Sequence, residues 1–440
     1  MDLAEVSRRE RSIRAQRPVD AVNQTSALSD ALLRQLIAVG QVDILVGLPT
    51  LNNAATVADV VRAVHVCFAR DFPRLRTVMI NSDGGSTDGT PELIRSASLT
   101  EADTLLTSHS LRTIHRVVAP FHGLPGKHTA LRTVFAASEL TQARVLVIVD
   151  PAGPATSAAR VTELISPIAR SEVEFLAPCH RRHPRDGVLV TQLVRPLVRA
   201  LYGVALDEPL GAEFSCSGRF ASHCLERDIW DHDAARFGID LWLRTEAIAQ
   251  GVAIGQIWRP PPMGAGARTT LREAVQQVVL ALIESLRAHA SFWTATSGIA
   301  PLSIWGTEPA EIPDPQPWDY EAVAGQARHD IGEIHPLLEE VLDSSLLARI
   351  IEEVSASELR SDDELWVRTV YEVAAAARQG RVGPEHLAGL FVPLYLWRAA
   401  AFMARAAHQT DAAVYQGLES LSQTFLRLKP VLVDRWSAEV

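Results

Sequence analysis

Short apolar runs alternate with amphipathic stretches from Val42 onward. Val42–Leu48 is almost continuously apolar and is closed by Gly47, Pro49 and Asn52, a pattern that predicts a buried parallel strand followed by a loop. Ala54–Phe68 has helical spacing. The alternation repeats as strand Thr77–Ile80, a helix from Thr90, strand Thr113–Val118, helix Lys127–Ala137 and strand Arg144–Val149, which Asp150 halts. Strands separated by helices of this length predict an α/β fold with a doubly wound, mainly parallel sheet flanked by helices. After Pro151 the pattern is mixed: a strand at Glu174–Ala177, helices near Val190–Tyr202 and Arg236–Gln250, and a strand at Val252–Trp258. The Arg259-Pro260-Pro261-Pro262 stretch interrupts it, and Thr270–Ala288 resumes as an amphipathic helix carrying Val275, Val278, Val279, Leu282 and Leu286. Upstream, Ser26–Val39 has helical spacing through Leu28, Leu32, Leu33 and Leu36, while residues 1–25 read as a mobile or partner-bound arm. Pro301–Tyr320, rich in proline and tryptophan, is expected to cross the surface, and everything from Ala322 is helical in character. The expected boundaries are an arm and helix over 1–40, an α/β domain over 41–290 that divides near 150, and a helical C-terminal domain over 291–440.

A chain of 440 residues is long for one ordinary core, so two are expected. The net charge of -10 argues against a nucleic-acid partner, which needs a basic face to neutralise phosphates. Any phosphate site is therefore local. Four cysteines without a CxxC pair, behind an opening MDLAEVSRRERS that has no apolar stretch, lead to the expectation of a reducing cytoplasm. No run approaches the roughly 18 consecutive apolar residues of a membrane span, so no membrane is expected.

Ligands of open parallel sheets bind beyond the carboxyl ends of the strands, and four such places carry candidate chemistry. Leu48-Pro49-Thr50-Leu51-Asn52-Asn53 offers backbone and small polar groups to the edge of a base. Asn81-Ser82-Asp83-Gly84-Gly85-Ser86-Thr87-Asp88-Gly89-Thr90 is a glycine-rich turn between strand and helix, with Asp83 placed to accept from a ligand and Asp88 read either as a contact or as a helix cap. Lys127, after Gly123-Leu124-Pro125-Gly126, puts a cation at an anion-friendly helix N-terminus. Asp150 ends an apolar strand with a carboxylate suited to a hard metal, or to capping the next helix.

In this order and spacing the four elements resemble the GT-A glycosyltransferases. Arg181-Arg182-His183-Pro184, Val190–Leu197, Glu208-Pro209-Leu210-Gly211-Ala212-Glu213 and Phe237-Gly238-Ile239-Asp240 narrow the likeness to the glucosyl-3-phosphoglycerate synthase and mannosylglycerate synthase group. That resemblance, over roughly residues 40–290, implies a retaining enzyme with a UDP- or GDP-sugar donor (UDP-glucose or GDP-mannose type) and a glycerate-type acceptor. Residues 41–150 would form its nucleotide-sugar half and 151–290 its acceptor half. By matched position Pro49, Thr50, Leu51, Asn53, Ser82 and Asp83 would line the nucleoside pocket, and Lys127 would meet the diphosphate. Asp150 matches the first acid of the family's metal motif, Thr191 and Leu210-Gly211-Ala212 match acceptor-side positions, and Asp240 matches an active-site acid near the sugar. The sequence departs from the family in three places. Ala152 stands where the motif has its second acid, and Pro262–Ala267 lacks the histidine that completes the metal site, so Mg2+ or Mn2+ held by Asp150 alone would bind weakly. Gly187-Val188-Leu189 replaces the Gly-Gly-Arg that grips the acceptor phosphate, which disfavours 3-phosphoglycerate.

Glycosyl transfer needs stabilisation of the departing diphosphate. Without a metal the candidate cations are Lys127, Arg181, Arg182 and Arg268, with Lys127, Arg181 and Asp240 the candidates for the catalytic step. Glu213 is a weaker candidate acid. The rival reading is a catalytically silent GT-A module that binds a nucleotide or a protein partner. A nucleotidyltransferase would carry a glycine-rich basic signature after the first strand, where this chain has Leu48-Pro49-Thr50-Leu51-Asn52. Trp293, Trp305, Trp318, Trp366, Trp397 and Trp436 sit among apolar residues and are expected to pack the helical region rather than stack sugars; the apolar tail suggests a homodimer.

Overall fold

The structure is a computed structural model that describes residues 27–437, apart from 106–114, 120–126, 153–155, 232, 261–270, 316 and 381. The arm expected over 1–25, the family-histidine region and Arg268 lie outside the described residues, as do Thr113 and Thr270 at the starts of their expected elements. Eight strands form one sheet: β1 (Ile44–Thr50), β2 (Thr77–Asp83), β3 (His115–Ala119), β4 (Val145–Ile148), β5 (Phe175–His180), β6 (Phe214–Ser217), β7 (Ile254–Arg259) and β8 (Ile304–Trp305). Their order is β3-β2-β1-β4-β6-β5-β7-β8.

The expectation of an α/β fold with a mainly parallel sheet holds, and its minority direction comes from one strand. β6 pairs antiparallel with both β4 and β5, while every other pairing is parallel. Phe214-Ser215-Cys216-Ser217 is four residues with two hydroxyls, too short and too polar to read as a buried strand. Two antiparallel steps restore direction, so β5 and β7 end on the same edge as β1, β2 and β4.

Burial on both faces explains the continuous apolar runs. Ile44, Val46 and Leu48 join Met79, Val145, Val147 and Val149 in the core beneath helices Val57–Asp71 and Ala158–Ala169. Leu45, Val78, Ile80, Leu146 and Ile148 face the other way, toward Leu131, Val134 and Phe135 of helix Lys127–Leu140. This second core runs on without a break into the C-terminal helices, taking in Trp366, Leu387, Tyr395, Phe425 and Trp436. The two larger apolar clusters thus lie on opposite faces of the sheet, and a third, smaller one joins Phe402, Met403 and Ala406 to Val414 and Leu418 among the C-terminal helices.

Gly238 shows how closely these layers approach. A Cβ there would stand 1.9 Å from Ala281 Cβ, so helix Asp233–Ala249 crosses helix Leu271–Ala288 nearly backbone to backbone. Among the described residues, helix Pro384–Ala406 is the one long and apolar enough to cross a membrane by length and composition, and 83% of its most apolar window is buried in the protein. Trp293, Trp366, Trp397 and Trp436 are buried, and the Trp293 and Trp436 rings meet edge to face at 5.1 Å.

Candidate functional site

The loops after β1 and β2 are laced together by their own polar side chains. Asn52, Asn53 and Ala54 donate backbone N–H groups to Ser86 Oγ, Thr90 Oγ1 and Asp88 Oδ2, at 2.8, 2.8 and 2.9 Å. Thr87 N donates back to Asn52 Oδ1 at 2.8 Å. Asp88 also accepts from Thr90 N and Thr90 Oγ1, so it acts as the helix cap, and these contacts hold its carboxyl below the usual range. Asp83 is 7% exposed, and both of its oxygens are engaged. Oδ1 accepts from Thr50 Oγ1 and Ser86 Oγ, and Oδ2 from the N–H groups of Gly85 and Ser86. The structure thus places Asp83 beneath the loop as its organiser, with Ser82 buried in β2 beside it.

Above this floor is a cleft of about 210 Å³ at the carboxyl edge of the sheet. Pro49, Thr50, Leu51 and Asn53 form one wall; Lys127, Asp150 and Ala212 come to it from three other segments, and Gly84, Ala130 and Ala152 complete it. Lys127 is the first residue of its helix, at the end that carries the positive pole of the helix dipole. Its Nζ lies 2.5 Å from Asp240 Oδ2. The other oxygen, Asp240 Oδ1, is buried without a hydrogen-bond partner among the described residues.

Arg244, one turn beyond Asp240, fixes this arrangement from behind. Its fully buried guanidinium donates to Asp240 O at 2.7 Å, Gly211 O at 2.6 Å and Glu213 O at 3.3 Å, and lies 5.8 Å from the Phe175 and Phe214 ring centroids. Gly211 has no room for a side chain, because a Cβ would be 2.3 Å from Pro178 Cγ. The 211–213 loop is therefore held against both β5 and the Asp240 helix. Sequence reading missed Arg244, whose acceptors are backbone carbonyls.

Among the described residues, the side chains near this cleft do not form a divalent-cation donor set. Asp150 Oδ1 already accepts from Ala152 N at 2.9 Å, and Ala152 brings no side-chain oxygen where a second acid would stand. Glu213, the other nearby acid, is bound by Arg259 Nε at 2.8 Å; burial raises its pKa, and the Asp150 charge adds to that rise. Among the described residues no group of three or more His, Cys, Asp or Glu side chains is placed to hold a metal.

Arg181 and Thr191 do not reach this cleft. Arg181 donates to the carbonyls of Pro309 and Ala310 and pairs with Glu308 at 3.4 Å; with Thr191 it lines a second cleft of about 360 Å³. The expected grouping of Arg181 with Lys127 and Asp240 is thus not formed. Leu210 is half-buried between the two clefts in sequence, which Asp207 and Ala212 flank. No protein-family model matches the chain, and no curated protein matches it. Solved structures are similar to it, among them glucosyl-3-phosphoglycerate synthase from Mycobacterium tuberculosis in complex with Mn2+, UDP and glucosyl-3-phosphoglycerate, at 20% identity and a TM-score of 0.41 over 62% of this chain and 88% of that one. A complex of that enzyme with Mn2+, UDP-glucose and phosphoglyceric acid gives 21% identity and a TM-score of 0.41 over the same shares. Another structure, of M. tuberculosis glucosyl-3-phosphoglycerate synthase, gives 22% and 0.40, over 59% and 85%.

Proposed function

We propose that this chain is a glycosyltransferase that binds a nucleotide diphosphate sugar, of the UDP-glucose or GDP-mannose type, in the first cleft and passes the hexose to a small polar acceptor such as glycerate, with retention. The observation that carries the reading is the convergence of Pro49, Thr50, Leu51 and Asn53 with Lys127 on one cleft at the carboxyl edge of the sheet, with Asp240 paired to that lysine. The loop supplies a base-sized wall. Lys127 and the helix N-terminus take the diphosphate, whose charge grows as its bond to the anomeric carbon breaks. Asp240 Oδ1, unpartnered and buried, accepts a hydroxyl from the sugar or the acceptor. In this reading, with no metal-ligand group among the described residues, neutralisation falls to Lys127.

Incubation of the full chain with each donor and D-glycerate tests this, with hexosylglycerate and released nucleoside diphosphate measured with and without chelator. Equal amounts of the two products, indifferent to chelator, are expected. Complete dependence on magnesium or manganese refutes the metal-free version. A second reading, a nucleotide-binding module without turnover, is favoured by Ala152 at the second-acid position and is identified by nucleotide binding with no product.

A further inference from the structure

Three of the C-terminal helices bring arginines to one place. Arg349 comes from helix Ser344–Ser355, Arg435 from helix Asp411–Ser437, and Arg368 from helix Asp363–Gln379, where Glu372, four residues on, shares its face. They line a cleft of about 200 Å³ that has no residue in common with the two described above. Leu346 and Tyr371, which also line it, are buried, and the Tyr371 hydroxyl donates to Phe425 O at 2.6 Å. The charged side chains are therefore left to decide what enters.

Those charges do not cancel within the lining. Three guanidinium groups stand against two carboxylates, Asp343 and Glu372, and both carboxylates are engaged. Asp343 Oδ1 caps helix Ser344–Ser355, accepting from Ser345 N at 3.0 Å and Ser345 Oγ at 2.5 Å, and these bonds hold its carboxyl below the usual range. Glu372 is buried and pairs with Arg435; burial raises its pKa, and the Asp343 charge adds to that rise. The acids beside the other two arginines are not part of the lining. Glu364 accepts from Arg368 Nε and Nη2 at 3.1 and 2.9 Å, and Asp362, whose Oδ1 caps the next helix through Leu365 N, stands 3.8 Å from Arg349. Arg368 is thus oriented from outside the cleft. A guanidinium carries five N–H donors. Among the described residues Arg368 uses two of them, Arg435 one, and Arg349 none in a hydrogen bond. By contrast the buried Arg398 uses Nε and both of its amino groups on Gln192, Ser361 and Asp363.

We infer that this third cleft binds a phosphate-type dianion, as the free ion or as the phosphate group of a small molecule, held by Arg349, Arg368 and Arg435. A carboxylate is planar and offers two oxygens, enough for one or two guanidinium forks. A tetrahedral phosphate offers oxygens in several directions and can meet forks that arrive from three helices. Its charge also offsets the excess of the three arginines over Asp343 and Glu372. The bound ion ties the three helices together, so it stabilises the folded chain as it fills the cleft. The inference does not rest on the transferase reading.

Calorimetric titration of the full chain with inorganic phosphate, glycerol 3-phosphate and acetate, at constant ionic strength, tests it. Phosphate or its monoester is expected to saturate a site below about 10 mM and to raise the Tm as its concentration rises; acetate is expected to do neither. The tighter of the two phosphates tells free ion from ester. Arg349→Gln is the cleanest variant, because that side chain is 53% exposed and its loss breaks no hydrogen bond of the fold. Losing its charge-assisted contact is expected to weaken binding about tenfold or more, with Arg349→Lys in between. Arg368→Gln is expected to weaken binding to a similar degree, and thermal unfolding without ligand checks the fold of each variant. The saturation that Arg349→Gln weakens is expected to survive Lys127→Met, which removes the cation of the first cleft. The inference is overturned if neither phosphate saturates the wild type, or if acetate binds as tightly. It is also overturned if both glutamine variants bind like the wild type, or if Lys127→Met abolishes the binding while they retain it.

Discussion

Substituting Asp240 separates two roles that its contact with Lys127 combines. The two side chains are 31% and 15% exposed for Lys127 and Asp240, and a partly solvated pair of this kind contributes about 1 kcal/mol. Lys127 must exchange that carboxylate for the diphosphate when the donor binds. Asp240→Asn removes the competitor and is expected to tighten UDP binding by up to about fivefold, the affinity equivalent of about 1 kcal/mol. Turnover falls about a hundredfold in the same protein, because the carboxylate that receives a hydroxyl is gone. Lys127→Met acts with the opposite sign on affinity: a lost charged hydrogen bond weakens UDP binding by about 1.5–3 kcal/mol and lowers turnover by about 10²–10³. Calorimetry with UDP and a single-turnover assay give both quantities. The reasoning is refuted if Asp240→Asn weakens UDP as Lys127→Met does, which would make Asp240 an orienter of the lysine rather than its competitor.

Further expectations concern the scaffold. Lys429 is buried and, among the described residues, has only the carbonyls of Leu201 and Thr296 as acceptors; burial brings its pKa down to about 8. The unfolded lysine holds its proton to a higher pH than the folded one, so unfolding free energy from this group rises from about pH 8 to the ordinary lysine pKa. The Tm gain between pH 7.5 and 9.5 should therefore be larger in the wild type than in Lys429→Met. All four cysteines are buried, with Cys67 and Cys179 pushed up to about 11 and about 12 by desolvation, so a thiol reagent at pH 8 should label none in the native protein and four in denaturant. Gly238→Ala should destabilise by about 1–3 kcal/mol in denaturant unfolding, and Ala281→Gly in the same chain should restore most of it, because the clash lies between those two Cβ positions.

What the sequence made legible was what depends on local periodicity. Val42–Leu48 and Arg144–Val149 announce two-sided burial, and the residues directly after them, Pro49–Asn53 and Asp150, do stand at one cleft with Lys127. Partner choice at long range was not legible. Asp83 looks like a ligand contact in sequence, but its oxygens are taken by Thr50 and by the turn it begins, a matter of how two loops fold over each other. Arg181 lies directly after β5, as a candidate cation should, yet Glu308 and two carbonyls from the segment after β8 draw it into another cleft. β6 escaped notice because a short antiparallel strand with serines lacks any apolar run, and Arg244 because its carbonyl acceptors leave no side-chain pattern.

A crystal structure of the full chain with UDP measures the central claim directly. The account predicts the base against Pro49–Asn53, diphosphate oxygens within hydrogen-bond distance of Lys127 Nζ, and the lysine released from Asp240. A diphosphate bound elsewhere, or a cleft that stays closed by the Lys127–Asp240 pair with the nucleotide excluded, would contradict it.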